Sequence, residues 1–237
     1  MTSPSSSIAT LMAALRQRDP TAPRLTWYGP QQERIELSGR VLDNWAAKTA
    51  NFLTDELDAE PGTTLLLDLP AHWKSLCWAL AGWQCGTNLW LSPESPGAAP
   101  VEIAATSRPE DSPPAATTVA VALGALDMRW RGALPAGMVD YADQVRAHGD
   151  VFAPFAKASD NDVALMAAGQ EITYGDLLTD YSKPAAKPGR VLLQTDLLEK
   201  AVRAALGIWA GGGSLVLVHP DVEVTEALIN SEKVTVS

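Results

Sequence analysis

The sequence predicts an α/β fold made of two similar lobes, each with a mainly parallel sheet flanked by helices. The first observation is a repeat, in which PGTTLLL at 61–67 matches PGRVLLQ at 188–194, and ALAGWQCGTNLWL at 79–91 matches ALGIWAGGGSLVL at 205–217. The offsets are 127 and 126 residues, so the spacing inside each copy is preserved to one residue. A repeat of this length indicates two similar α/β units rather than a solenoid of short repeats.

The second observation is the hydrophobic pattern inside each copy. TTLLLDL at 63–69 is a nearly continuous apolar run, which is typical of a strand covered by helices on both faces. A helix over about 72–84 and a short strand at 88–92 follow it. Strand, helix and strand with short connections predict a right-handed βαβ unit. The second copy repeats this plan with a strand at 190–194, a helix over 196–210 and a strand at 214–218.

A β-hairpin and a long helix are predicted before the first copy. RLTWYG at 24–29 and RIELS at 34–38 flank the turn-forming GPQQ, which favours two antiparallel strands. Ser38 is then placed to cap the N-terminus of a helix over about 40–57, whose apolar residues fall close to one stripe. The other predicted elements are helices at 8–18, 139–147, 175–181 and 223–231 and strands at 101–106, 117–124, 163–167, 171–173 and 233–237, with a surface loop at 109–115.

A third, weaker match supports the two lobes. Four residues near the first hairpin align with four residues of the second half at an offset of 135: Glu36, Leu37, Ser38 and Leu42 with Glu171, Ile172, Thr173 and Leu177. KASDND at 157–162 is predicted to be an exposed link. We therefore expect sub-lobes at about 20–155 and 160–237, in a single region without a further domain behind it.

Composition excludes two classes of partner. The 237 residues include 18 basic and 28 acidic side chains, for a formal net charge of −10. This charge would repel nucleic-acid phosphates and anionic membrane surfaces. The N-terminus has no basic region before its short apolar run, so we expect neither a signal peptide nor a transmembrane span, and a cytoplasmic location. Cys77 and Cys85 fall on one predicted helix, about 12 Å apart, and are expected to be buried reduced thiols.

Few residues point to chemistry. Gly211, Gly212 and Gly213 follow a helix and precede a strand, whereas a phosphate cradle needs the opposite order, so this run predicts a helix cap and tight turn. No metal-binding spacing and no Gly-x-Ser-x-Gly motif is present. The acidic residues at 55–60 are interpreted as solvated charge. His72 and His219 follow predicted parallel strands, where α/β proteins place ligands, and are the candidate binding histidines.

Together these residues resemble a known family. Residues 25–92 resemble the N-terminal region of the AMP-forming adenylating enzymes, a superfamily of acyl-CoA synthetases, adenylation domains and luciferases, through the hairpin, the Ala50-Asn51 pair and the Pro61-Gly62 turn before a buried strand. Residues 188–237 resemble the part downstream of that family's phosphate loop. The resemblance implies an acetyl-CoA synthetase N-terminal-like fold with two similar α/β subdomains.

The sequence departs from that family where the chemistry resides. The family carries a Ser/Thr/Gly-rich loop ending in Pro-Lys-Gly between these two segments, but this chain has LMAAGQEITYGDLL at 165–178, with no lysine until Lys183. The segment offers Thr173 and Tyr174 as candidate binding residues. ATP or AMP binding is therefore doubtful, and no residue inherits a catalytic role or that of a metal ligand. The adenine-binding motif, hinge aspartate and catalytic lysine of the family are also not found.

Three hypotheses follow. The first is a non-catalytic relative of the adenylating enzymes that binds a small ligand or a protein partner. The second is a residual acyl-adenylate or acyl-CoA ligase that uses a pocket between the lobes or acts with a partner subunit. The third is a structural or regulatory protein that associates with itself as a homo-oligomer or with a full-length synthetase.

Overall fold

A computed structural model describes residues 7–91, 100–125, 127–167, 169–183, 185 and 187–235. The strands are β1 Pro23–Tyr28, β2 Arg34–Ser38, β3 Thr64–Asp68, β4 Asn88–Trp90, β5 Ile103–Thr106, β6 Thr117–Ala120, β7 Val139–Asp140, β8 Val163–Ala167, β9 Gln170–Thr173, β10 Arg190–Gln194 and β11 Ser214–Val218. The α-helices are α1 Ile8–Gln17, α2 Gly39–Leu57, α3 Trp73–Cys85, α4 Tyr141–Gln144, α5 Leu198–Ala210 and α6 Glu226–Ser231.

The chain divides into two compact units, each assembled from separate stretches of sequence. Unit 1 comprises 1–43, 71–76 and 175–237, and unit 2 comprises 44–70 and 77–174. The division differs from the sub-lobes expected at 20–155 and 160–237. The reason lies in strand pairing, because β1, near the N-terminus, pairs in parallel with β11, near the C-terminus.

Unit 1 holds a four-stranded sheet in the order β10-β11-β1-β2. The β10–β11 and β11–β1 pairs are parallel, and β1–β2 is the predicted antiparallel hairpin. Helix α1 begins at the predicted position, where Ser7 Oγ accepts a hydrogen bond from the Thr10 amide at 3.2 Å. Helix α5 buries the predicted apolar stripe of Leu198, Val202, Ala205 and Trp209.

Unit 2 holds a seven-stranded sheet in the order β7-β6-β5-β3-β4-β8-β9. All its pairs are parallel except the hairpin of β8 and β9. Every residue of β3 is buried, as its continuous apolar run predicts. Phe52 on α2 packs edge-on against Trp78 of α3 and Tyr141 of α4, with ring centroids 6.1 and 5.7 Å apart, and forms the aromatic core.

Both copies of the sequence repeat form a βαβ unit with the same register. In unit 2, Thr64 of β3 pairs with Asn88 of β4, and in unit 1, Arg190 of β10 pairs with Ser214 of β11, at a constant offset of 126 residues. One tryptophan of α3 and one of α5 donate their indole N–H groups to the strand that lies beside the βαβ unit in the same sheet. The acceptor is a carbonyl oxygen of β8 for α3 and of β1 for α5. Trp83 reaches Ala164 at 2.8 Å and Trp209 reaches Arg24 at 2.9 Å.

The expected C-terminal strand at 233–237 is wrong over its described residues. Lys233, Val234 and Thr235 are not in a strand, and the last two residues lie outside the described part of the chain. Instead Thr235 contacts one residue of the edge strand β10: its amide donates to the Arg190 carbonyl at 2.8 Å, and its Oγ1 accepts from the Arg190 amide at 2.8 Å. The predicted helix at 175–181 is a π-helical turn, Leu177–Tyr181, and the loop at 109–115 contains a 3₁₀ turn, Pro109–Asp111.

Two further predictions can be compared with the structure. Cys77 and Cys85 both lie on α3 as free, buried thiols, as expected. Burial raises the pKa of the Cys85 thiol to about 12, and the Asp55 carboxylate adds to the shift, so the thiol is protonated at neutral pH. Within the described ranges, no helix combines the length and apolar character needed to cross a membrane.

Candidate functional site

Unit 1 brings together the two histidines that the sequence singled out. The Trp27 ring lies at the end of β1, with the His72 ring 4.7 Å and the His219 ring 6.1 Å from it, both in edge-on geometry. His219 is held beside β1 because its amide donates to the Tyr28 carbonyl at 2.9 Å. Trp27 is only 2% exposed and His72 only 3%. The sequence did not predict that Trp27 joins them, because parallel pairing of β1 with β11 creates this arrangement.

The two imidazoles share a local hydrogen-bond pattern. His72 Nδ1 accepts from the Lys74 amide and His219 Nδ1 accepts from the Asp221 amide, both at 3.1 Å. This pattern places the proton of each neutral ring on Nε2. Burial lowers the pKa of His72 well below its ordinary value, and the nearby charges of Lys74 and His219 lower it further. His72 is therefore neutral at physiological pH.

The geometry of this cluster favours packing over catalysis. The nearby hydroxyl of Ser75 is fully buried and has no hydrogen-bond partner in the described residues, so it forms no nucleophile–base pair with His72. The Trp27 indole N–H also lacks an acceptor there, but a Cβ added at Gly29 would lie only 2.7 Å from that nitrogen. The backbone of Gly29 thus lies close to the indole edge.

Thr173 and Tyr174, the other two candidates, lie apart from the histidines in unit 2. Thr173 ends β9, and the Tyr174 hydroxyl donates to the Thr87 carbonyl at 2.9 Å, which ties β9 to the turn before β4. Burial raises the pKa of Tyr174 far above its ordinary value, and Cys85 and Asp162 add to the shift. The Tyr174 hydroxyl is therefore a structural hydrogen-bond donor.

The connection from β8 to β9 is a two-residue turn. Ala167 of β8 pairs directly with Gln170 of β9, and Gly169 between them has a φ of 75°. A left-handed residue in a two-residue hairpin turn is best supplied by glycine. The segment between these strands therefore has no length left for a phosphate-binding loop.

A cavity of about 460 Å³ lies in unit 2, at the C-terminal end of α2. Its lining includes the buried Cys85, and one wall is the irregular segment 152–156. The side chain of Asn51 positions this wall, because its amide nitrogen donates to the carbonyls of Gly149 and Val151 at 2.9 and 3.0 Å. The lining residues are Asn51, Thr54, Asp55, Asp58, Ala59, Glu60, Pro61, Cys85, Phe152, Ala153, Pro154, Phe155 and Ala156.

The charged side chains of the cavity lining are all acidic. Asp55, Asp58 and Glu60 contribute carboxylates, and the lining contains no lysine or arginine. The sequence predicted these acids to be solvated, and Asp55, Asp58 and Glu60 are exposed, but the cavity beside them was not predicted. The sequence does show acids at a helix C-terminus and two phenylalanines in a distant segment. Only the fold shows that both groups line the same cavity. No group of three or more His, Cys, Asp or Glu residues in the described ranges is arranged to hold a metal ion.

Comparisons with known proteins agree on family and fold. No known protein-family profile matches the chain. A TIGR03089 family protein of Mycobacterium tuberculosis (strain ATCC 25618 / H37Rv) is 35% identical over 250 residues, with 99% of each chain covered.

Among solved structures, an acyl-CoA synthetase of Brucella canis matches with a TM-score of 0.74 and 14% identity, covering 97% of this chain and 46% of that one. The inhibitor-bound N-terminal domain of FACL13 from Mycobacterium tuberculosis matches with a TM-score of 0.71 and 14% identity, covering 97% and 61%. This chain thus spans about half the length of the first of these enzymes. We conclude that the chain belongs to the TIGR03089 family and has the fold of the N-terminal region of the acyl-CoA synthetases.

Proposed function

We propose that this protein is a non-adenylating relative of the acyl-CoA synthetases that binds a small ligand in the cavity of unit 2. The observation that carries the proposal is the two-residue turn between β8 and β9, at the position where the resembled enzymes have their phosphate loop. The cavity supports the ligand-binding part.

The turn matters because ATP-dependent adenylation must neutralise a triphosphate. Enzymes achieve this with clustered backbone N–H donors and a cation. Here the hydrogen-bonded ladder of β8 and β9 extends to Ala167 and Gln170, so that the backbone groups at this position are used in strand pairing. The first charged side chain after β9 is Asp176, an anion, which would repel phosphate.

The cavity has the size and construction of a ligand site. Pockets that bind small molecules enclose roughly 300 to 1,000 Å³ and combine apolar walls with a few polar groups. The cavity in unit 2 combines the rings of Phe152 and Phe155 with three carboxylates. Its two sides come from α2 and the segment anchored by Asn51. We also propose a cytoplasmic location, supported by the two free cysteines, since secreted proteins more often pair theirs.

The test is ATP–pyrophosphate exchange with a panel of aliphatic and aromatic carboxylic acids, with an intact acyl-CoA synthetase as positive control. We expect no exchange above the background without protein. Acid-dependent exchange would overturn the proposal and favour the residual ligase. Circular dichroism on the same sample verifies that the protein assayed is folded.

A protein partner is the second candidate. Phe155 is fully exposed, at 112% of its reference area, and Val151 is 77% exposed, so the rim of the cavity carries apolar surface. Apolar surface of this kind is common at interaction sites. Sedimentation velocity of the pure protein tests self-association. A monomer at all concentrations would exclude the hypothesis that the protein forms a homo-oligomer.

A further inference from the structure

We propose that the cavity of unit 2 binds an organic cation, with its ammonium group at Asp55 and Asp58 and its apolar body against Phe152 and Phe155. The inference rests on the proposed ligand-binding function and names the class of ligand. Two independent properties of the cavity support it: a cluster of carboxylates at a helix C-terminus, and aromatic side chains in the same lining.

The acidic side chains at the C-terminal end of α2 interact unfavourably with the helix dipole. The last carbonyl groups of a helix form the negative end of its dipole, where basic side chains are stabilising. The last turn of α2 contains no basic residue and contains Asp55 and Glu56 instead. Asp58 and Glu60 follow directly, so that four acids surround the end of the 19-residue helix.

One histidine lies close to two of these acids. His148 Nδ1 lies 3.5 Å from Asp55 Oδ2, and His148 Nε2 lies 3.9 Å from Glu56 Oε1. Neither contact reaches Asp58 or Glu60, which line the cavity. A bound cation would offset both the carboxylate repulsion and the helix dipole.

The wall formed by residues 152–156 suits the apolar or aromatic part of a ligand. Phe152 and Phe155 line the cavity together with Pro61 and Pro154. Aromatic faces attract ammonium groups, and they also bind hydrocarbon. Because Phe155 is fully exposed without a ligand, it has apolar area available to bury on binding.

The backbone at Asp58 offers a clean test of the charge. Asp58 follows α2 with a φ of 52°, and the Ala59 amide donates to the Leu53 carbonyl at 3.0 Å, which closes the end of the helix. Asparagine tolerates this left-handed conformation as well as aspartate does. Asp58→Asn therefore removes one charge and keeps the shape of the helix end.

The experiment is calorimetric titration of the full chain with three probes that share a phenyl ring and a two-carbon stem: phenethylamine as the cation, phenethyl alcohol as the neutral compound and hydrocinnamate as the anion. We expect phenethylamine to bind with a Kd on the order of 1 mM, as suits a fragment of this size. The other two probes are expected to bind at least about tenfold more weakly, and added salt to weaken phenethylamine binding.

Variants locate the site. Asp58→Asn should weaken phenethylamine binding about threefold, and the double variant with Asp55→Asn about tenfold. Glu223→Gln, an exposed acid in unit 1, makes the same charge change and should leave the affinity unaltered. The melting temperature of Asp58→Asn without ligand should not fall, because a negative charge leaves a helix C-terminus.

The outcomes separate the inference from the proposed function. If the alcohol or hydrocinnamate binds as tightly as phenethylamine, the inference that the ligand is a cation is overturned, whereas the proposal that the cavity binds a ligand is retained. Binding of none of the three probes would also overturn the inference, and so would equal weakening by Glu223→Gln and Asp58→Asn. The absence of adenylation is judged separately by the exchange assay.

Discussion

The βαβ unit of β3, α3 and β4 and the βαβ unit of β10, α5 and β11 share their register but differ in their surroundings. β3 lies between β4 and β5 and is buried throughout, whereas β10 is an edge strand whose residues are partly exposed. The same supersecondary unit thus serves as the centre of one sheet and as the edge of another. The two copies therefore have different neighbours, and their sequences differ where those neighbours lie close.

The glycines of the second copy show this most clearly. At the positions of Ala81 and Cys85 in α3, helix α5 and its C-terminus have Gly207 and Gly211. A Cβ on Gly207 would lie 2.5 Å from the Ser182 carbonyl oxygen, and one on Gly211 would lie 2.6 Å from that of Ala185. The backbones of Ser182 and Ala185 therefore lie in direct contact with α5 and its C-terminal end. Gly212, with a φ of 80°, forms the predicted tight turn, so the run combines a turn with a close backbone approach.

The largest effect is expected from Trp83 of α3 and Trp209 of α5, whose indole N–H groups donate to carbonyls of β8 and β1. Trp83→Ala and Trp209→Ala should each lower the free energy of unfolding by about 3 to 5 kcal/mol, because each removes a buried ring and leaves a cavity. Trp→Phe at each position keeps most of the burial and should cost about 1 to 2 kcal/mol for the lost indole hydrogen bond. Urea denaturation of the four variants measures these values. A cost at one position only would show that the two units are not equivalent.

The next effect concerns Glu232, whose carboxylate pairs with Arg190 of the edge strand β10 in unit 1. Glu232 is buried and accepts hydrogen bonds from Tyr28 at 2.5 Å and Arg34 at 2.9 Å, and it pairs with Arg190 of β10. Glu232→Gln should destabilise the protein by about 2 to 3 kcal/mol, because it leaves two arginines without their shared partner. Thermal denaturation at pH 7 measures the loss. Glu226→Gln, an exposed acid on α6, is the control and should have little effect.

Exchanging residues between the copies gives a smaller, asymmetric effect. Gly207→Ala should cost about 1 to 3 kcal/mol despite the better helix propensity of alanine, because the Ser182 carbonyl must move. The reverse change, Ala81→Gly, should cost about 1 to 2 kcal/mol, for the helix propensity and the buried methyl group, with no steric clash to relieve. A neutral or stabilising Gly207→Ala in urea denaturation would contradict the close approach of the Ser182 carbonyl to α5.

The smallest effect is a pH dependence confined to unit 1. Because the pKa of His72 is lowered in the folded state, the unfolded chain binds a proton first, and stability must fall as the pH drops below about 6.5. The slope from this group is at most about 1.4 kcal/mol per pH unit. His72→Gln should flatten the dependence of stability between pH 5 and 7. An unchanged slope in His72→Gln would contradict the prediction.

The sequence predicted most elements because local signals define them. The Pro61-Gly62 turn, the buried run of β3 and the Ser38 cap, which accepts from the Val41 amide at 3.3 Å, all act within a few residues. The pairing of β1 with β11 joins residues almost 190 positions apart, and no local pattern specifies it. The cavity was missed for the same reason, since Asp58 and Phe155 are brought together only by the tertiary fold.

The central claim is that this scaffold lacks the site for ATP phosphates, and titration of the protein with Mg-ATP by isothermal calorimetry tests it directly. An intact acyl-CoA synthetase measured in the same buffer serves as the positive control. The two-residue turn between β8 and β9 predicts no saturable heat of binding up to millimolar ATP. Saturable binding with a Kd below about 100 μM, which corresponds to more than about 5 kcal/mol of binding free energy, would contradict the account.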